Sequence, residues 1–188
     1  MLIYGAKDLA GAFRTVRNNT ITIAGEIPEA RYDYRAAPDT RTVAQMLVHV
    51  AMLPTVQSQI HGVERRTTLA GFDFPGFIQR VLAEEQKARD KSEIVAMLRE
   101  NGENFANWLE GLADDFLGER VAMPPGMTPE SRTRFEMLMG VKEHEMHHRA
   151  QLMLIERMVG IVPHLTREMQ ARIAAFQTQT QSQARAQG

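Results

Sequence analysis

Apolar residues recur at three- and four-residue intervals along most of this chain, the spacing of helices that each bury one face. From Ala6 to about Ala24 the stripe is Leu9, Phe13, Val16, Thr20 and Ile23; Gly25 and Pro28 stop it, and an aperiodic loop ending in RAAPDT follows. A cap at Asp39 or Thr40 opens a second helix to about His61, with Val43, Met46, Leu47, Val50, Leu53 and Val56 inward. Pro54 removes a backbone donor inside that helix, which predicts a kink. After the polar loop VERRTTLAGFD comes a shorter helix from Phe74 to about Arg89, with Phe77, Ile78 and Val81 inward and a charged, solvated end, EEQKARDK.

Ser92 and Glu93 open a further helix carrying Ile94, Met97, Leu98, Phe105, Trp108, Leu109 and Leu112, slightly weakened by Gly102. Residues 114 to 133 hold three prolines and two glycines and read as a long irregular connection, from which Phe116, Val121, Met123 and Met127 can lean over a pocket mouth or equally pack against a helix end. From Ser131 a long helix reaches Gly160 with Phe135, Leu138, Val141, Leu152, Ile155 and Met158 on apolar positions, and Pro163 enforces the break. A last helix spans His164 to about Phe176. No strand pattern emerges, so the fold class is all-α: a four-helix bundle with additional short helices, one domain over 1–176. The Gln-rich tail 177–188 lacks an apolar stripe and is expected to be disordered or a loose helical extension.

The 188 residues carry a net charge of -1 with the basic residues scattered, which predicts no nucleic-acid partner. No apolar run is long enough for a membrane span, and nothing at the N-terminus reads as a signal, so no membrane association and a cytoplasmic location are expected. There is no cysteine, so any nucleophilic thiol belongs to a substrate or cosubstrate. The twelve methionines sit mostly on apolar helix positions beside leucines and read as core filling rather than a copper site.

The chemistry concentrates in KEHEMHHRAQLML, Lys142 to Leu154. On a helix, His144 and His148 lie about 40° apart around the axis, so both imidazoles can face one ion. His147 lies about 60° from His144 on the other side, and reaches outward or supports the ligands from behind. A catalytic metal normally takes three protein ligands. His49, among apolar positions of the second helix, supplies the third if the two helices face each other in the bundle. His61, near a helix end, reads as structural, meeting the last carbonyls.

TRTVAQMLVHVA around His49, together with HEMHHRAQL from His144, resembles the two signature regions of the DinB/YfiT-like superfamily, and the resemblance runs from the first helix through Gly160. It implies a four-helix bundle of up-down-down-up connectivity, a divalent-ion site on His49, His144 and His148, and a homodimer. Characterised relatives are thiol-dependent transferases or isomerases, so it also implies a small-molecule substrate, with a low-molecular-weight thiol as cosubstrate.

Three readings follow. The first is a metal-dependent thiol S-transferase or hydrolase with zinc or nickel on the imidazoles; in it Glu145 is a proton acceptor or else a solvated helix residue, Gln45 bonds a ligand, substrate or simply the backbone, and Arg149 pairs with a substrate carboxylate or bridges to a neighbouring helix. The second is a non-catalytic bundle clamped by its ion, a binding or stress-response protein. The third is a zinc peptidase, because His144, Glu145 and His148 match HExxH; the absence of strands and of an HxxGxxH continuation weighs against it, although Glu168 follows twenty residues on.

Overall fold

The computed structural model describes residues 4–186; residues 1–3 and 187–188, the outer ends of the N-terminal segment and of the Gln-rich tail, lie outside it. The helices are α1 (Ala6–Glu26), α2 (Val43–Gln57), α3 (Phe74–Glu85), α4 (Lys91–Glu110), α5 (Asp114–Gly118), α6 (Arg134–Met158) and α7 (His164–Ala186). Four of them form the bundle. α1 packs on α4 and α6, and α2 packs on the same two helices, so α1 and α2 stand at opposite corners with α4 and α6 between them.

The stripes read from the sequence are the buried faces. Leu9 and Phe13 of α1 meet Phe105 and Leu109 of α4 and Leu138 and Val141 of α6, with the Phe13 and Phe105 rings edge to face at 5.0 Å. Ile23, Leu47, Val50, Leu98 and Leu152 fill the other half of the core. Each fully buried side chain of this kind contributes roughly 2 kcal/mol of transfer free energy.

Local signals fix the helix starts. Thr42, two residues later than expected, caps α2, with its hydroxyl accepting from Gln45 N and the Gln45 amide oxygen accepting from Thr42 N. The same reciprocal pairing joins Thr133 to Glu136, so α6 begins at Arg134 and not at Ser131. Gly160 at φ 88° then breaks the helical path after α6, a conformation that side-chain-bearing residues rarely adopt. Pro54 does not end α2, which runs on to Gln57 and continues as a π turn, Ser58–Val63.

The 114–133 connection is more ordered than its composition suggests. It holds α5 and a two-stranded antiparallel ribbon, β1 (Arg120–Ala122) paired with β2 (Ser131–Thr133), bridged to Thr68. These strands are too short to leave a period in the sequence. Val121 of β1 is the ribbon's buried residue, packed with Val56, Ile60, Leu69 and Phe72. On α3 only Val81 and Glu85 are buried, and Ile78, expected inward, is half exposed. The helix of α7 runs on through the Gln-rich stretch to Ala186, with side chains exposed as far as Gln183. Among the described residues no helix is long and apolar enough to cross a membrane.

One buried group opposes the fold. Glu156 of α6 is fully buried and both carboxylate oxygens lack a hydrogen-bond partner among the described residues. Burial, helped by nearby Glu26, pushes its pKa up to about 7. Because the folded value is raised, its stabilising share is present below the unfolded value and is lost as pH rises through about 7. Glu156→Gln removes that titration. The variant's stability relative to the parent is expected to rise by on the order of 3 kcal/mol between pH 4 and pH 8, read by urea denaturation at both. A difference independent of pH would show that Glu156 ionises normally.

Candidate metal centre

His49 on α2 and His144 and His148 on α6 converge where these two helices face each other. One nitrogen from each lies within 4.8 Å of the other two. The ring centroids are 5.2 Å (His49 to His144), 4.9 Å (His49 to His148) and 4.5 Å (His144 to His148) apart.

Two of the rings are oriented from behind. Nδ1 of His49 lies 2.9 Å from Oε1 of Glu85 at the end of α3, whose Oε2 accepts from Arg41 Nε at 2.8 Å. A carboxylate there selects the tautomer with the proton on Nδ1, leaving the Nε2 lone pair free. His148 Nδ1 donates to Gln151 Oε1 at 2.8 Å, and the Gln151 amide nitrogen lies 3.2 Å from Nε2 of exposed His147. His147 therefore stands behind the cluster, bonded through Gln151. His144 differs: its buried Nδ1 has no hydrogen-bond partner among the described residues.

All three imidazoles are held neutral at pH 7. Burial pushes His144 and His148 down to about 4, with the neighbouring histidines adding to it; burial and then Arg41 lower His49 against the opposing Glu85 bond. Three neutral nitrogens, two aimed by acceptors and one orphaned, are the donor chemistry of a borderline divalent ion.

Cavities open on either side. Toward His148 lies one of about 620 Å³, lined by Arg35, Arg41, Gln45 and Glu85 among others. Toward His144 lies one of about 390 Å³, walled by Leu53, Phe74, Met123, Met127 and Met137. A smaller apolar one of about 200 Å³ lies beside His49 under α3, sharing Leu53 and Phe74 with the His144-side cavity and Arg41 with the His148-side one. Met123 and Met127 thus do lean over a pocket, whereas Phe116 stacks on Arg134 and Val121 is core.

Other expected site residues fall differently. Glu145 is not beside the imidazoles as a proton acceptor. One position round the helix from His144, it is 1% exposed and both its oxygens are bound by Arg17, at 2.9 and 3.1 Å from Nε and 2.9 Å from Nη2. That pairing also removes the base an HExxH peptidase needs, and Glu168 lies exposed on α7 outside the cluster. Arg149 makes no ion pair among the described residues, and its Nε is buried without a partner. Gln45 lines the His148-side cavity, and its amide oxygen accepts from the Thr42 backbone N–H in the α2 cap, the backbone bond among the roles open to it. His61 does not meet the helix-end carbonyls: it is fully buried between Gln57 and Arg134. Glu85 was missed because it sits in a run of charges that reads as solvated, yet it is only 6% exposed.

A model of the DinB superfamily matches residues 12–152. No curated protein matches. Among solved structures, the chain is similar to YfiT from Bacillus subtilis, described as a probable metal-dependent hydrolase with an unusual four-helix bundle topology, at 18% identity over 83% of this chain and 88% of that one, TM-score 0.64. It is similar to a DinB-like protein, YjoA, from the same organism, at 18% identity over 81% and 91%, TM-score 0.60. A third is the colibactin self-resistance protein ClbS in complex with a dsDNA, at 12% identity over 84% and 98%, TM-score 0.61. These likenesses establish the fold. The ClbS complex also overturns the exclusion of nucleic acid drawn from scattered charge, since a protein of this fold is found on duplex DNA.

Proposed function

The chain belongs to the DinB superfamily, and from that premise we propose that it is a metal-dependent enzyme of the hydrolase or thiol S-transferase type, with His49, His144 and His148 holding zinc or nickel. The observation that carries this reading is the convergence of three neutral imidazoles, one braced by a buried carboxylate, between cavities on two sides. A structural ion takes a fourth protein ligand, and no further His, Cys, Asp or Glu joins this group among the described residues. A divalent ion bound there supplies a Lewis acid that brings the pKa of a bound thiol or water toward neutrality.

The chain's own residues do the rest. Glu85 and Gln151 hold the tautomers of His49 and His148, so no proton has to move before a ligand is taken up. Met, Leu and Phe side chains wall the His144 side, while the His148 side carries arginines able to position a polar or anionic group. With no cysteine in the chain, a nucleophilic sulfur has to arrive with the second reactant.

The test is spectroscopic. The cobalt-substituted protein is expected to change its visible absorption when a small thiol such as 2-mercaptoethanol is added, because an open position lets sulfur reach the ion. A spectrum indifferent to thiol, azide and other small ligands would leave an ion that only clamps α2 to α6.

A further inference from the structure

Gln57 stands two helical turns beyond His49, with Leu53 between them on the same face of α2, and it lines the cavity that His144 lines. What its amide presents to that cavity is decided in the interior. A guanidinium can only donate. Arg134 Nη1 lies 2.9 Å from Nδ1 of His61, so Nδ1 is the acceptor and the ring proton sits on Nε2. That Nε2 lies 2.9 Å from Oε1 of Gln57, so the amide oxygen accepts. The end left for the cavity is the amide nitrogen, which makes no hydrogen bond to the described residues.

The relay is fixed at its far end too. Arg134, 1% exposed, donates from Nε to Glu119 at 2.9 Å and stacks over Phe116 at 4.5 Å. The direction of each bond from Arg134 to Gln57 is thereby set, and the amide cannot flip without placing two donors against each other.

The cavity around this donor is otherwise mostly apolar. Of its two charged members, Glu136 is engaged through Oε2 in the α6 cap, and Arg132 is exposed and opposite in sign. We infer that Gln57 donates a hydrogen bond to the substrate, and that the His144-side cavity takes an uncharged apolar group bearing an acceptor oxygen, as in a ketone, ester or amide. The inference rests on the proposed function for the chemistry that follows; the binding itself does not.

The probes are acetophenone and ethylbenzene, alike in ring and chain length and different in a carbonyl oxygen. Binding is followed by NMR on the chelator-treated full chain labelled with nitrogen-15, the Gln57 side-chain signal being identified by its loss in Gln57→Met. Acetophenone is expected to shift that signal and ethylbenzene to leave it in place. Gln57→Met is expected to move the acetophenone-to-ethylbenzene affinity ratio about fivefold toward the hydrocarbon, the worth of one neutral hydrogen bond. A Gln57 signal indifferent to acetophenone, an unchanged ratio, or no binding of either compound would overturn the inference. Zinc titration of the same sample reports separately on the three-histidine centre, so the two ideas fail independently.

Discussion

Protein carrying His49→Ala is expected to emerge from dialysis with almost no divalent ion, where the unaltered chain, purified without a histidine tag, keeps about one per chain by elemental analysis. The reason is the division of the ligands between helices. His144 and His148 share one face of α6 and remain a pair in the variant, but two imidazoles rarely hold a divalent ion against competing water, and the third comes only from α2. Glu85→Gln is the graded comparison. It keeps every ligand and replaces the carboxylate behind His49 with an amide that can present the wrong end, so affinity is expected to fall about 10–100-fold with stoichiometry still reaching one at saturating metal. Retention of a full ion in His49→Ala would move the site off α2 altogether. A Glu85→Gln variant as tight as the parent would reduce Glu85 to a partner of Arg41.

The spacing of His144 and His148 needed only the helical repeat to read, and His49 could be joined to them once the stripes predicted a bundle. What lay beyond sequence reasoning were the groups whose role depends on another helix. Glu84 and Glu85 look alike in EEQKARDK, but Glu84 pairs with Lys87 and Arg89 at the surface while Glu85 turns under α3 toward His49. One signal was available and easily passed over: polar or missing side chains on the core stripes themselves. Arg17 lies four residues after Phe13 and three before Thr20, Glu145 four after Val141, and Gly102 four after Leu98. Each is an oddity on its own helix, and together they explain one another. A Cβ on Gly102 would stand 2.7 Å from Cγ of Arg17, so α4 lacks a side chain there because Arg17 crosses it to reach Glu145. Pro54 belongs to the same group. It strands the carbonyl of Val50, and Arg17 Nη2 supplies the missing donor at 3.1 Å.

Arg17→Met is expected to cost about 3–5 kcal/mol, the usual consequence of removing one partner from a buried ion pair, and to lower Tm by on the order of 10 °C in a chain of this size. The guanidinium is 3% exposed and joins all four bundle helices: it starts on α1, bonds the Val50 carbonyl of α2 and the Leu98 carbonyl of α4, and grips Glu145 of α6. Its loss leaves a buried carboxylate and a proline-freed carbonyl without their partner. The double variant Arg17→Met/Glu145→Met separates the pair from its desolvation. With both charges gone, most of the lost stability is expected to return, because the attraction within a buried pair roughly offsets the penalty of burying it. A double variant as unstable as the single one would locate the damage in the stranded Val50 carbonyl instead. The same cycle reads the site. Glu145 precedes the part of α6 that carries His148 and follows His144 directly, so its grip on α1 sets the rotation of α6 that turns both imidazoles toward His49. If that is its purpose, the double variant regains stability but binds the divalent ion more weakly than the parent; equal affinity in both would show that packing alone holds α6 in register.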